Sequence, residues 1–306
     1  MSLLKGRHFL SVADFSTDEL EEVLRVADEL KRGAPSQALA GKCVALLFEH
    51  PSLRTRTTFE VGAFQLGGHA VYLTQEHIGI GHREPPADIA RNLERWVHAI
   101  IARVRSHDTV QELAQWSRVP VVNALSDREH PCQVLADMQT LRERLGQLRG
   151  ATLLFSGDGY NVCHSLLLVC ARLGVNILVA TPPAFAPRPE IVALAQEAAA
   201  RNGSRVEVGH DPKVFVHQAD AIYTDVWASM GQEAQAADRR AAFGTRYQVN
   251  AELLAGAQDH AWVMHDLPAH RGEEITAEVI EGPRSIVFDQ AENRLHAQKA
   301  LLSLIV

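Results

Sequence analysis

A handful of short segments hold the residue types that anion binding and acyl transfer use. Ser52-Leu53-Arg54-Thr55-Arg56 follows an apolar run and opens a helical pattern. Free N–H groups at a helix start, hydroxyls and guanidiniums together make an anion site. The plainer alternative is a Ser N-cap followed by a solvated basic turn. Arg103 closes another apolar run, where by itself a surface arginine is the better reading. His130-Pro131-Cys132-Gln133 sets an imidazole and an amide on a Pro-fixed turn. Both can donate to a carbonyl or phosphate oxygen, and both also suit a solvent-facing helix cap. Asn161, behind Gly157-Asp158-Gly159-Tyr160, suits a small polar ligand or a cap. Asp225, in Asp225-Val-Trp-Ala-Ser229-Met230-Gly231, fits an N-cap or a ligand contact, and His265-Asp266-Leu267-Pro268 ends one more apolar run.

Two chemistries fit poorly. Gly157-Asp-Gly159 is only part of a dinucleotide fingerprint, and the next strand runs into Thr181-Pro-Pro with no acid for a ribose. The 15 histidines are scattered, with no HExxH and no convergent Cys/His spacing, so a metal centre is not expected.

These segments need a scaffold that presents loops in a common place, and the apolar runs supply it. Strands are expected at 43–48, 70–73, 99–104 and 119–123, then at 152–155, 175–180, 205–208, 221–223 and 262–264. Helical patterns lie between many of them, including 88–97, 109–117, 133–145 and 163–173, and a last helix covers about 291–306. Alternation of this kind implies parallel sheets. The reading is α/β: two doubly wound parallel-sheet domains, with a break at 146–150. Their ligands belong beyond the carboxyl ends of the strands, where the segments above fall.

A length of 306 residues suits two domains, and 46% hydrophobic with 22% charged residues is ordinary for a globular chain. A net charge of −7 argues against a broad nucleic-acid surface. Four cysteines without a CxxC pair suggest a reduced compartment. No signal-peptide pattern opens the chain and no run approaches the roughly 18 to 20 apolar residues of a membrane span, so a cytoplasmic location is expected.

Taken in order, Ser52-Leu-Arg-Thr-Arg56, His130-Pro-Cys-Gln133, Asp225-Val-Trp-Ala-Ser-Met-Gly231, His265-x-Leu-Pro268 and Phe288-Asp-Gln-Ala-Glu-Asn-Arg294 form a specific set. Over essentially its whole length the chain resembles the anabolic ornithine carbamoyltransferases. The resemblance implies a carbamoyl phosphate-binding domain (1–147), an ornithine-binding domain (148–290) and a C-terminal helix (291–306) returning to the first. It implies transfer of a carbamoyl group to the δ-amine of L-ornithine, giving L-citrulline for arginine synthesis, without cofactor or metal. Ser52, Leu53, Arg54, Thr55, Arg103, His130, Pro131, Cys132, Gln133, Asp266, Leu267 and Arg294 would surround carbamoyl phosphate. Asn161, Asp225, Ser229 and Met230 would hold ornithine. Arg103, His130, Asp225, Asp266 and Arg294 would act on the reacting groups. Such enzymes are typically homotrimers with shared sites, and 77–84 resembles the loop lent to a neighbour.

Three positions depart from the family pattern. Gly79 stands where many relatives have Gln or His, Tyr160 replaces the first of two Asn, and Asp266 replaces the Cys of His-Cys-Leu-Pro. Asp225 with Asp266 makes an acidic acceptor site, which suits a cationic amine and disfavours the dianionic acceptor of the aspartate-using sister family. A different cationic acceptor, or a weakly active or non-catalytic carbamoyl-phosphate-binding homologue, is the alternative that Asp266 opens.

Overall fold

Short runs rich in Val, Ile, Leu and Ala, such as those at 44–47, 99–102 and 177–180, build the core of two parallel sheets, as strands buried on both sides must. The computed structural model describes residues 3–229 and 231–306. Met230, expected to contact the acceptor, lies outside the described residues. The chain divides into two compact units, residues 1–139 with 292–306, and residues 140–291. The division falls within the helix Pro131–Leu145, ahead of the turn at Leu148–Gly150.

In the first unit, strands β1 (Cys43–Phe48), β2 (His69–Thr74), β3 (Ala99–Arg103) and β4 (Val121–Leu125) pair in the order β2-β1-β3-β4. All the pairings are parallel. The strand order reverses between β1 and β3, which makes their carboxyl ends a topological switch point. Register aligns Phe48 with Arg103, so the segment after β1 begins beside Arg103. Ala45, Leu47, Ile100, Ala102, Ile89 and Val110 belong to the buried core under this edge. The end of the chain belongs to this unit: Gly6 donates to the Ile305 carbonyl at 2.8 Å, and Lys299 Nζ donates to Gln65 Oε1 at 2.9 Å.

The second unit holds β5 (Thr152–Ser156), β6 (Asn176–Ala180), β7 (Val206–Gly209), β8 (Ala221–Thr224) and β9 (Trp262–His265), in the order β7-β6-β5-β8-β9. Its pairings are also parallel. Here the switch point lies between β5 and β8. Thr224 pairs with His265, so the next residues on each strand, Asp225 and Asp266, leave the sheet side by side.

The Gly-rich turn after β5 has a packing reason. A Cβ on Gly159 would lie 2.3 Å from Pro187 N and 2.5 Å from the Phe185 carbonyl oxygen. Glycine there permits a close approach of two backbones, and the Gly159 N–H donates to that carbonyl at 2.9 Å. Gly79 is structural in a different way. It closes the short helix Gln75–Ile78 in the left-handed region (φ 66), and a Cβ would meet Arg83 Cβ at 2.7 Å. A longer side chain does not fit this turn as it stands.

Candidate functional site

Ser52 caps the helix Leu53–Gln65, its Oγ accepting from Thr55 N at 3.2 Å. The cap reading of Ser52 holds: its hydroxyl orders the first turn of the helix that carries Arg54. Leu53 points outward, 78% exposed. Thr55 faces in and is buried, where Arg103 Nη1 donates to its Oγ1 at 3.5 Å and Arg294 Nη2 at 3.1 Å.

Arg294 is the hub of this cluster. It is 2% exposed, carried by the helix Val287–Ile305. Its Nη1 donates to Gln133 Oε1 at 2.5 Å, and Gln133 Nε2 donates on to Asp137 Oδ1 at 2.8 Å. Gln298, with its amide oxygen turned toward the guanidinium, accepts from Nη2 at 2.8 Å and Nε at 3.1 Å. In that orientation its nitrogen contacts Thr58 Oγ1 at 2.6 Å. Gln298 was not singled out in the sequence; a polar residue one turn beyond Arg294 on the same helix is the only signal of it.

His130 precedes the helix Pro131–Leu145, with Pro131 at the first position, where its missing N–H costs nothing. The imidazole is buried, and burial together with the charges of Arg294, Arg103 and Arg54 holds its pKa well below the usual histidine value. The ring is therefore neutral at pH 7. Cys132 lies in the same turn, but its Sγ donates to the Asn123 carbonyl at 3.4 Å, and burial pushes its pKa to about 12. It is an inert packing thiol.

In the second unit the helix Asn161–Leu173 starts at Asn161 itself, with Tyr160 as an N-cap lacking a side-chain capping bond. Asn161 is buried, its Oδ1 accepting from Val162 N at 2.9 Å. Asp225 is not a helix cap: its Oδ1 accepts from Val226 N at 2.7 Å in an irregular segment. The Ser229 N–H donates to Gln232 Oε1 at 3.1 Å in the same segment.

Burial, then the charge of Asp266 and a hydrogen bond to it, raise the Asp225 pKa well above the carboxylate range. His265 does not relieve this. Its Nδ1 accepts the Leu267 N–H at 2.9 Å, so the ring proton sits on Nε2, 3.0 Å from the fully buried Glu274 Oε1. Asp266 Oδ1, 3.5 Å from Nδ1, faces a lone pair. The proton that allows two carboxyls to hydrogen bond is therefore shared between Asp225 and Asp266. Leu267 presents its N–H from φ 59, the one positive value at a non-glycine among the described residues. Asp225, His265 and Asp266 each bring a potential metal-ligand atom within 4.8 Å, but both ring nitrogens are engaged within the protein.

Residues 7–143 match the carbamoyl-P binding domain of the aspartate/ornithine carbamoyltransferases, and residues 149–305 match their Asp/Orn binding domain. An ornithine carbamoyltransferase from Symbiobacterium thermophilum is 52% identical over 310 residues, covering 100% of both chains. The chain belongs to the aspartate/ornithine carbamoyltransferase family. A second relative of the same name, from Thermococcus kodakarensis, is 49% identical across 99% of this chain and 97% of its own. The ornithine carbamoyltransferase from Pyrococcus furiosus superposes with a TM-score of 0.95 at 47% identity, covering 100% of this chain and 98% of that one. Among the described residues of this family member no helix is long and apolar enough to cross a membrane.

Proposed function

We propose that the protein transfers the carbamoyl group of carbamoyl phosphate to the δ-amine of L-ornithine, giving L-citrulline and phosphate. The observation that carries this is the convergence on His130 of three guanidiniums, Arg54, Arg103 and Arg294, at the β1/β3 switch point. A dianionic phosphate matches their charge, and Ser52, Thr55 and the helix start add neutral donors. The curated relatives bearing the name ornithine carbamoyltransferase support the acceptor, as does the acidic Asp225–Asp266 pair.

The chemistry follows from these groups. The neutral amine's lone pair forms the N–C bond and the carbonyl oxygen gains charge in a tetrahedral intermediate; as that oxyanion collapses, the C–O bond to phosphate breaks with its electron pair leaving on phosphate, which takes up the proton that the nitrogen gives up. Thr55, Arg103, His130 and Arg294 would stabilise the oxyanion, and neutral His130 does so by donating a hydrogen bond. Ser52 and Arg54 would hold the departing phosphate. Asn161, Asp225 and Ser229 would hold the amino acid, with Asp225 ionising to meet the α-ammonium. Product assays with ornithine, N-acetylornithine, putrescine, lysine and aspartate test the reading, and preference for any acceptor but ornithine would refute it.

The Arg54→Ala variant should bind carbamoyl phosphate more weakly by roughly 1.5 to 3 kcal/mol, the scale of one charge-assisted bond. Unchanged affinity by calorimetry would remove Arg54 from the site.

A homotrimer with shared sites is part of the proposal. Its support is the 77–84 loop and the apolar cavity of about 360 Å³ beside it, lined by Val71, Leu73, Ile78 and Trp96, with Trp96 68% exposed. A neighbouring copy would cover that surface. Mixing an Arg54 variant with a variant of the 77–84 loop should restore activity through hybrid sites. No recovery after verified subunit exchange, or full activity in a monomer, would count against it.

A further inference from the structure

One buried ion pair has no part in the chemistry above. Arg239 and Asp158 side chains are 8% and 7% exposed, and Arg239 Nη1 donates to Asp158 Oδ2 at 2.5 Å. The same nitrogen donates to the Trp227 carbonyl at 2.8 Å. The guanidinium lies over the Phe185 ring, 4.7 Å from its centroid. The Trp227 ring stacks on Phe243 at 5.3 Å and 11°, and Phe243 follows Arg239 by one turn of the helix Ala236–Tyr247. Asp158 sits in the turn that delivers Asn161. Trp227 lies midway between Asp225 and Ser229.

We propose that Arg239 is a positioning residue for the amino-acid acceptor: its guanidinium ties the turn presenting Asn161 to the segment presenting Asp225 and Ser229. The inference rests on the reading of those three residues as the acceptor-binding group. A merely stabilising role fits the physics less well. Burial raises the Asp158 pKa to about 6 in spite of the attraction of Arg239, so forming the charged pair costs folding stability at neutral pH. Such a pair is better explained by the geometry it imposes. The sign sets a pH window: the pair is intact above about 6 and is lost as Asp158 takes up a proton below it. The groups facing Asp158 are Arg239 and Cys163, whose thiol is kept neutral by burial and by the Asp158 charge.

The test uses the full chain with carbamoyl phosphate saturating. Arg239→Met should raise the ornithine KM about tenfold with kcat nearly unchanged, and Arg239→Lys should recover part of that loss. Carbamoyl phosphate affinity should hold, while the denaturation midpoint of Arg239→Met falls because Asp158 and the Trp227 carbonyl lose their donor. Asp158→Asn should remove from the ornithine kcat/KM profile the acid limb near pH 6 that the parent shows. Parallel loss of kcat and carbamoyl phosphate affinity, or an unchanged ornithine KM in Arg239→Met and Asp158→Asn alike, would overturn the proposal. If the parent protein does not carbamoylate ornithine, the acceptor reading fails by itself. The tie is then read by amide hydrogen exchange at 226–229: faster exchange in Arg239→Met sustains it, and equal exchange refutes it.

Discussion

Arg294→Leu is expected to lower kcat by about 10²- to 10³-fold, the loss typical of one oxyanion donor. The effect should be at the large end because Arg294 also arranges its neighbours. It donates to buried Thr55, Gln133 and Gln298, and removing it strands the Gln133 and Gln298 oxygens and leaves Thr55 only its longer contact with Arg103. Each stranded buried group costs on the order of 1 to 3 kcal/mol, so stability should fall as well. Arg294→Lys separates the two effects. A lysine keeps the charge but offers a point donor in place of a fork, so it should stay folded and still be slow. Saturating kinetics and a denaturant midpoint on both variants check this. Near-normal turnover in a folded Arg294→Lys would show that the fork geometry does not matter to the reaction.

Asp266→Cys is expected to raise turnover at pH 7 by about tenfold, more than it changes ornithine affinity. The reason lies in the shared proton. Asp225, pushed up by burial and by the charge of Asp266, hydrogen bonds to it, so the pair holds one proton and one negative charge between them. When Asp225 ionises to meet the α-ammonium, the pair carries two negative charges. Asp266 then attracts the δ-ammonium and keeps the proton on the nitrogen that must attack. That interaction is stronger in the ground state than in the transition state, so it slows the reaction. A thiol, with a reference pKa near 8.5, is mostly neutral at pH 7 and lacks this grip. The parent should gain rate as pH rises, and Asp266→Cys should show a flatter profile. If the parent is already fast at pH 7 and Asp266→Cys is slower, the carboxylate serves as a base and this account fails.

Much of the scaffold was readable because the signals are local. Strands packed on both faces are unbroken apolar runs, and β1 falls on the expected residues 43–48. Ser52 announces a helix start because its side chain caps the N–H three residues on. Helix starts at Pro131 and Asn161 come earlier than the apolar pattern implies, because their first turns bury polar residues, Gln133 and Asn161, that an apolar periodicity does not register.

The motifs, and the strand ends that carry them, were determined by sequence alone, including the acidic character that Asp266 brings to the acceptor side. Tertiary structure decided how those residues are partnered. Register places Asp225 beside Asp266, and Leu267 N–H fixes the His265 tautomer, so the carboxyls must share a proton. The Cys132 thiol turns inward to the Asn123 carbonyl. Arg239 looks like any solvated arginine in a polar helix, yet it is buried against Asp158, 81 residues away in sequence. Side-chain type and spacing are written along the chain, but burial and hydrogen-bond partners arise between segments remote from each other. Those partners set the charge that each group carries.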